Sequence, residues 1–117
     1  MATLRVLECS FLIPLNGDID LSSGELHSVT EWEWLTDQLW IGFGGGTVPQ
    51  CFYEGFYTDP DSGQRVSDRS RKFVVAIPDD RLDELRSLLA GRCDVFHQMM
   101  IYLSVAGVVE FIERRTD

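Results

Sequence analysis

"IGFGGGTV", residues Ile41 to Val48, holds four glycines within five positions. Read as Gly42-Phe43-Gly44-Gly45-Gly46, it comes near the G-x-G-x-x-G of dinucleotide-binding proteins, and the fold turns on which reading is right. A phosphate cradle needs a strand before the glycines and a helix after them, so that the helix N-terminus meets the pyrophosphate. Here the order is reversed. An amphipathic segment precedes the run, and Pro49 followed by "CFYEGFY" disfavours a helix after it. Glycines behind a helix adopt left-handed φ and satisfy its last carbonyls, whose partial negative charge repels phosphate. The run therefore reads as a helix end and a turn.

Working backwards, Ser22 and Glu25 have the spacing of a capping box, which predicts a helix from there to about Phe43. Leu26, Val29, Trp32, Leu35, Leu39, Trp40 and Phe43 fall in one half-circle of it, a core-facing stripe. Trp34 and Ile41 lie together on the opposite, polar side. Two readings stand for that pair: the loop "NGDIDLSSG" folds over it, or it anchors a protein partner. Before the loop, "LRVLECSFLIPL" alternates with period two and reads as a strand stopped by Pro14.

Working forwards, "TVPQCFYEGFYTD" and "QRVSDRSRKFVVAIP" flank the turn residues "PDSG", which predicts a hairpin. Pro78, Asp79 and Asp80 open a second helix with Leu82, Leu85, Leu88 and Leu89 inward and Gly91 as terminator. "MMIYLSV" and "VVEFIE" read as strands joined at Ala106-Gly107. The order is β-α-β-β-α-β with a short fifth strand. It predicts a single α+β domain over residues 1–117 of ferredoxin-like topology, an antiparallel sheet with both helices on one face.

The spaced pattern "FGGGT…EGFYTD…SG…SDRSRKFVVAI…L…LL…IYLSVAGVVEFIE", from about Phe43 to Glu113, resembles that of small, largely uncharacterised bacterial ferredoxin-like proteins. The resemblance implies the same fold and carries no reaction.

Nineteen acidic against ten basic side chains give a formal net charge of −9, which repels phosphate backbones and anionic headgroups. No nucleic-acid or membrane partner is expected. No apolar run has the roughly 18–20 residues needed to cross a bilayer. The three cysteines, Cys9, Cys51 and Cys93, are odd in number and irregularly spaced, as in a reducing cytoplasm. Cys93-x3-His97 is a single poor ligand pair, with His27 and Cys51 remote in sequence, so no metal and no cofactor are expected.

Two surfaces are nominated. The sheet face without helices displays Glu8, Ser10, Lys72 and Val74, with Tyr57 at its edge, and suits a homodimer, a larger protein partner or a bound small molecule. "RVSDRSRK" gathers Arg65, Arg69, Arg71 and Lys72. It reads either as a clamp for a small anionic ligand or as a solvated strand end pairing with Glu8 or Glu54. Glu8 and Glu54 also stand as a candidate acid–base pair. No nucleophile elbow, HExxH or Walker loop accompanies them. A cytosolic binding and assembly domain is the leading expectation. Its alternative is a small-molecule-binding protein or cofactor-free enzyme of the dimeric ferredoxin-like barrel type.

Overall fold

The computed structural model describes residues 5–16 and 26–114. In chain order these form β1 (Val6–Pro14), α1 (Val29–Phe43), β2 (Tyr53–Thr58), β3 (Arg65–Pro78), a 3-10 turn (Asp79–Arg81), α2 (Leu82–Val95), β4 (Met100–Val105) and β5 (Val108–Glu113). The architecture is α+β, two helices and one five-stranded antiparallel sheet in the order β2-β3-β1-β4-β5. Val108–Glu113 is a full strand paired along β4, so the sheet is one strand wider than a four-stranded ferredoxin-like plan. Ala106 and Gly107 make its tight turn, both at positive φ, 49° and 89°.

The period-two pattern sorts side chains as expected near the centre. Cys9, Phe11 and Ile13 of β1, Phe73, Val75 and Ile77 of β3, and Ile101, Leu103 and Val105 of β4 face the helices and are buried. Phe11 stacks on Phe73 at 5.2 Å and 11°, and Trp32 of α1 lies 6.0 Å above Phe73. Leu35 and Leu39 from α1, and Leu85, Leu89 and Cys93 from α2, complete the same cluster.

Helix α1 begins later than the Ser22–Glu25 box, which lies outside the described residues. Its N-cap is Ser28, whose Oγ accepts from the Glu31 N–H at 3.2 Å, so the same Ser-x-x-Glu signature is used one step further on. The buried arc also differs from the predicted stripe. Trp32, Leu35, Leu39 and Phe43 turn inward, whereas Leu26, Val29 and Trp40 are exposed and Trp34 packs against the core. The arc is rotated by about one residue step, roughly 100°. The cause is α2. Two helices on one sheet face must also cover each other's flanks, and Arg92 of α2 lies 3.8 Å over the Trp34 ring.

The glycine run ends α1 as its neighbours require. Gly44 sits at φ 86° with its N–H bonded to Trp40 O at 2.9 Å. Gly46 passes so close to β3 that an added Cβ would meet Val75 Cγ1 at 3.0 Å. Thr47 then exchanges both backbone hydrogen bonds with Val74, at 2.7 and 2.8 Å. Arg81 donates Nη2 to Gly42 O at 2.7 Å, placing a cation at the negative end of the helix.

Gly91 does not terminate α2. The helix continues to Val95 and closes in a Schellman arrangement, with Gln98 N–H bonded to Cys93 O at 2.8 Å and His97 N–H to Asp94 O at 3.3 Å. His97 occupies the left-handed position at φ 53°. The Gln98 side chain, itself buried, donates to Asn16 O and Phe96 O, both at 3.0 Å. Outside the core, Arg86 of α2 makes a two-pronged pair with Glu110 of β5, both contacts 2.9 Å. Among the described residues no helix is long and apolar enough to cross a membrane.

A left-handed φ costs an L-residue roughly 1–2 kcal/mol, and glycine loses part of that gain to chain entropy. His97→Gly is therefore expected to raise stability by about 0.5–1 kcal/mol in urea unfolding. A loss of stability would show that the imidazole itself holds the corner.

Candidate functional site

The β2–β3 hairpin outgrows the helices. Fourteen residues of β3 extend about 45 Å at strand rise, whereas the 15 residues of α1 cover about 22 Å. The molecule is correspondingly long, 54 × 33 × 29 Å. On the helix side of β3 the burial therefore fades along the strand. Phe73, Val75 and Ile77 are covered, Arg71 is half-covered, and Arg69, Ser67 and Arg65 are bare or nearly so. On the other side Val66 and Ser70 are buried, opposite Tyr57 and Tyr53 in the register.

The bare part forms a groove of about 590 Å³ lined by Glu54, Phe56, Arg65, Asp68 and Arg69, with Pro14 and Asn16 at one end. Register makes it: Glu54 lies opposite Arg69, Gly55 opposite Asp68, and Phe56 opposite Ser67. Gly55 lets the Asp68 carboxylate lean over β2, since a Cβ there would meet Asp68 Oδ1 at 3.1 Å. The guanidinium of Arg65 covers the Phe56 ring at 4.8 Å, and that of Arg69 covers Phe52 at 5.2 Å. Phe56 is 73% exposed, among the most exposed large apolar side chains described. The hairpin turn is held by Asp59, which accepts from Ser62 Oγ at 2.6 Å and Ser62 N at 2.9 Å. Those two bonds keep its carboxyl below the usual carboxylate range.

The nominated residues divide among four places. Glu54 and Arg69 come together in the groove. Glu8, Ser10, Lys72 and Tyr57 point to the uncovered sheet face, but they do not share one spot. Glu8 pairs with Ala76 and Tyr57 with Val66, ten positions apart along β3 and so about 33 Å. A cavity edged by both within one chain is ruled out. Glu8 and Glu54 also lie on opposite faces, which removes the acid–base pair. Lys72 Nζ sits 5.4 Å over the Tyr53 ring.

Arg71 is taken up by Trp32, at 5.0 Å, and Trp34 by Arg92, while Ile41 is exposed near the end of α1. Sequence reading gathered Arg65 with Arg69 in the candidate clamp, but missed Phe56 as a groove residue and Phe52 as the ring beneath Arg69. Fixing Thr58 opposite Arg65 across the "DPDSGQ" turn was the signal that places them.

Of the residues weighed as metal ligands, Cys93 is buried with Sγ 3.7 Å from Ile112 O, and burial pushes its thiol pKa up. Cys9 is likewise buried, whereas Cys51 is exposed. His27 lies between Trp32 and Phe96, ring centroids 5.4 and 4.9 Å away. Its side chain is 1% exposed, with Nδ1 3.5 Å from Glu31 Oε2.

The fold class is thus an α+β sheet with two helices and a projecting hairpin. No protein-family model matches the chain, and no curated protein matches it. Among solved structures it is similar to a phage SAM lyase in complex with S-methyl-5′-thioadenosine. The TM-score is 0.67 at 16% identity, covering 97% of this chain and 95% of that one. It is also similar to phage SAM lyase in the apo state, with a TM-score of 0.61 at 15% identity over 100% and 98% of the two chains. At such identity the likeness is one of fold.

Burial lowers the His27 pKa; the Glu31 carboxylate and the Pro14 carbonyl oppose that shift, and His97 adds to it. The native state thus takes up its proton at lower pH than the unfolded chain. Stability is full above the unfolded value of about 6.5 and is lost as pH falls below it. His27→Phe is expected to flatten the decline in melting temperature between pH 7 and pH 5. An unchanged slope would show that other groups govern it.

Proposed function

We infer that this chain is a small-molecule-binding protein that uses the hairpin groove for an adenosyl sulfonium of the S-adenosylmethionine type, and that it cleaves that ligand as a lyase. The observation that carries this reading is the lining of the groove, set beside a fold likeness to SAM lyase that spans nearly the whole chain. S-adenosylmethionine presents a carboxylate, an ammonium, a sulfonium cation and a purine. Arg65 and Arg69 suit the carboxylate, Glu54 the ammonium, and Phe56 the purine face. At about 590 Å³ the groove falls within the roughly 300–1,000 Å³ of small-molecule sites.

In a lyase reaction the bond from sulfur to the γ-carbon breaks and its electron pair goes to sulfur. The thioether nucleoside leaves neutral. The γ-carbon is then satisfied either by the fragment's own carboxylate oxygen or by loss of a β-proton to a base. Charge disappears from the sulfonium in this step, so a site that holds the carboxylate by bidentate arginine while shedding water favours it. We further read the β2-β3-β1-β4 part of the sheet as a ferredoxin-like core with β5 added at its edge.

A second reading has its own observation. The sheet face away from the helices exposes Val6, Met100, Val109 and Phe111, the last 60% exposed, and among the described residues nothing covers them. Pairing with a second copy through that face hides them, and makes the protein a homodimer.

Calorimetry with S-methyl-5′-thioadenosine, and chromatography of S-adenosylmethionine incubated with the protein, test the first reading. Binding and release of the thioether nucleoside are expected, and Arg69→Ala should lower turnover of S-adenosylmethionine at least about tenfold while leaving affinity for S-methyl-5′-thioadenosine, which has no carboxylate, little changed. Neither binding nor turnover would overturn it. For the second reading, light scattering should give twice the chain mass, and Phe111→Asp should return it to one chain. A wild-type monomer at tens of micromolar concentration would dismiss pairing.

A further inference from the structure

The first helix carries an exposed surface that the groove does not explain. Val29, Glu33, Asp37 and Trp40 share one outward arc of α1, with Ile41 at its margin. Trp40 is 67% exposed and stands beside a pocket of about 260 Å³. Buried Leu39 and Phe73 form the pocket's floor, and Thr36, Asp37 and Val48 its sides. The pocket shares no lining residue with the hairpin groove.

The tryptophans differ in one respect. Arg71 lies 5.0 Å over Trp32 and Arg92 lies 3.8 Å over Trp34, so each of those rings already holds a cation. Among the described residues Trp40 holds none, and neither Glu33 nor Asp37 has a cationic partner. An open indole face next to an unpaired carboxylate is the arrangement that attracts an ammonium or guanidinium most strongly. At about 260 Å³ the pocket falls just below the roughly 300–1,000 Å³ of small-molecule sites and has room for one lysine or arginine side chain.

We propose that the outward face of α1 docks a basic segment of another protein, with one lysine or arginine side chain seated in the pocket between Trp40 and Asp37. Charge selects this occupant. A chain of net charge −9 draws a basic segment and repels nucleic acid and anionic lipid. A second copy would bring Glu33 and Asp37 against like charges, which disfavours self-pairing there. Trp40 supplies the exposed aromatic anchor that such an interface would bury, and Ile41 and Val29 supply the apolar surround.

The test uses the full chain with two capped pentapeptides, acetyl-Gly-Leu-Arg-Leu-Gly-amide and its glutamate counterpart, followed by tryptophan emission and calorimetry. The arginine peptide is expected to saturate and to shift the emission, and the glutamate peptide to do neither. Trp40→Ala, read by calorimetry, and Asp37→Asn should each weaken binding by about tenfold. Asp61→Asn, which removes one charge on the hairpin turn, should leave it unchanged. Equal weakening by Asp61→Asn would reveal mere charge attraction and overturn the proposal, as would equal binding of both peptides. A fall in particle mass in Trp40→Ala would assign the surface to a second copy instead, and would overturn it too. Loss of S-adenosylmethionine turnover is not among these readouts, so the two functional readings stand or fall separately.

Discussion

A strand of fourteen residues cannot be roofed by helices half its length. Most of what distinguishes this molecule follows from that mismatch. Where β3 runs under α1 and α2 it carries Phe73, Val75 and Ile77 and belongs to the core. Where it runs past them, the same side of the strand carries Arg65, Ser67 and Arg69 and meets solvent. Burying arginine without a partner is prohibitive, so the switch from aromatic and branched residues to cations marks the end of the roof. The groove is the space the helices do not reach.

The charge distribution follows the same boundary. In a chain with nearly twice as many acids as bases, cations are spent over rings and at helix ends: Arg92 on Trp34, Arg71 on Trp32, Arg81 at Gly42 O. Arg65 and Arg69 sit over Phe56 and Phe52, which are exposed, so their guanidinium edges remain turned to the groove. Guanidinium on an aromatic face loses little hydration and keeps its donors for a carboxylate. The same contact is structural on the helices and becomes available for binding on the hairpin.

Much of this was legible in the residues. The polarity of the glycine run, the alternation of β1 and β3, and the "PDSG" turn specified element order and the neighbouring of β1 and β3. The rotation of α1 was not legible, because a single helix pattern does not reveal the helix packed beside it; Trp34 looks solvent-facing until α2 is placed. The Ser22–Glu25 box and Ser28–Glu31 are equal as signatures, and only the Ser28 Oγ bond from the Glu31 N–H, with Leu26 bridged to Asn16 just ahead of it, marks where α1 begins. For the site, sequence put Glu54 and Arg69 among the candidates, but spread the others along a strand whose length separates them. Face is set by parity and is easy to read. Position along a 45 Å strand depends on pairing register, which no single segment contains.

The thiols have a practical consequence. Cys9 and Cys93 are sealed in the core with their ionisation suppressed by burial, while Cys51 stands exposed immediately before Phe52, the ring beneath Arg69. Among the described residues this leaves one sulfur open to a maleimide dye without any engineering. A fluorophore attached there sits one residue from the guanidinium-covered wall of the groove. The native chain thus carries its own attachment point for watching that wall become occupied.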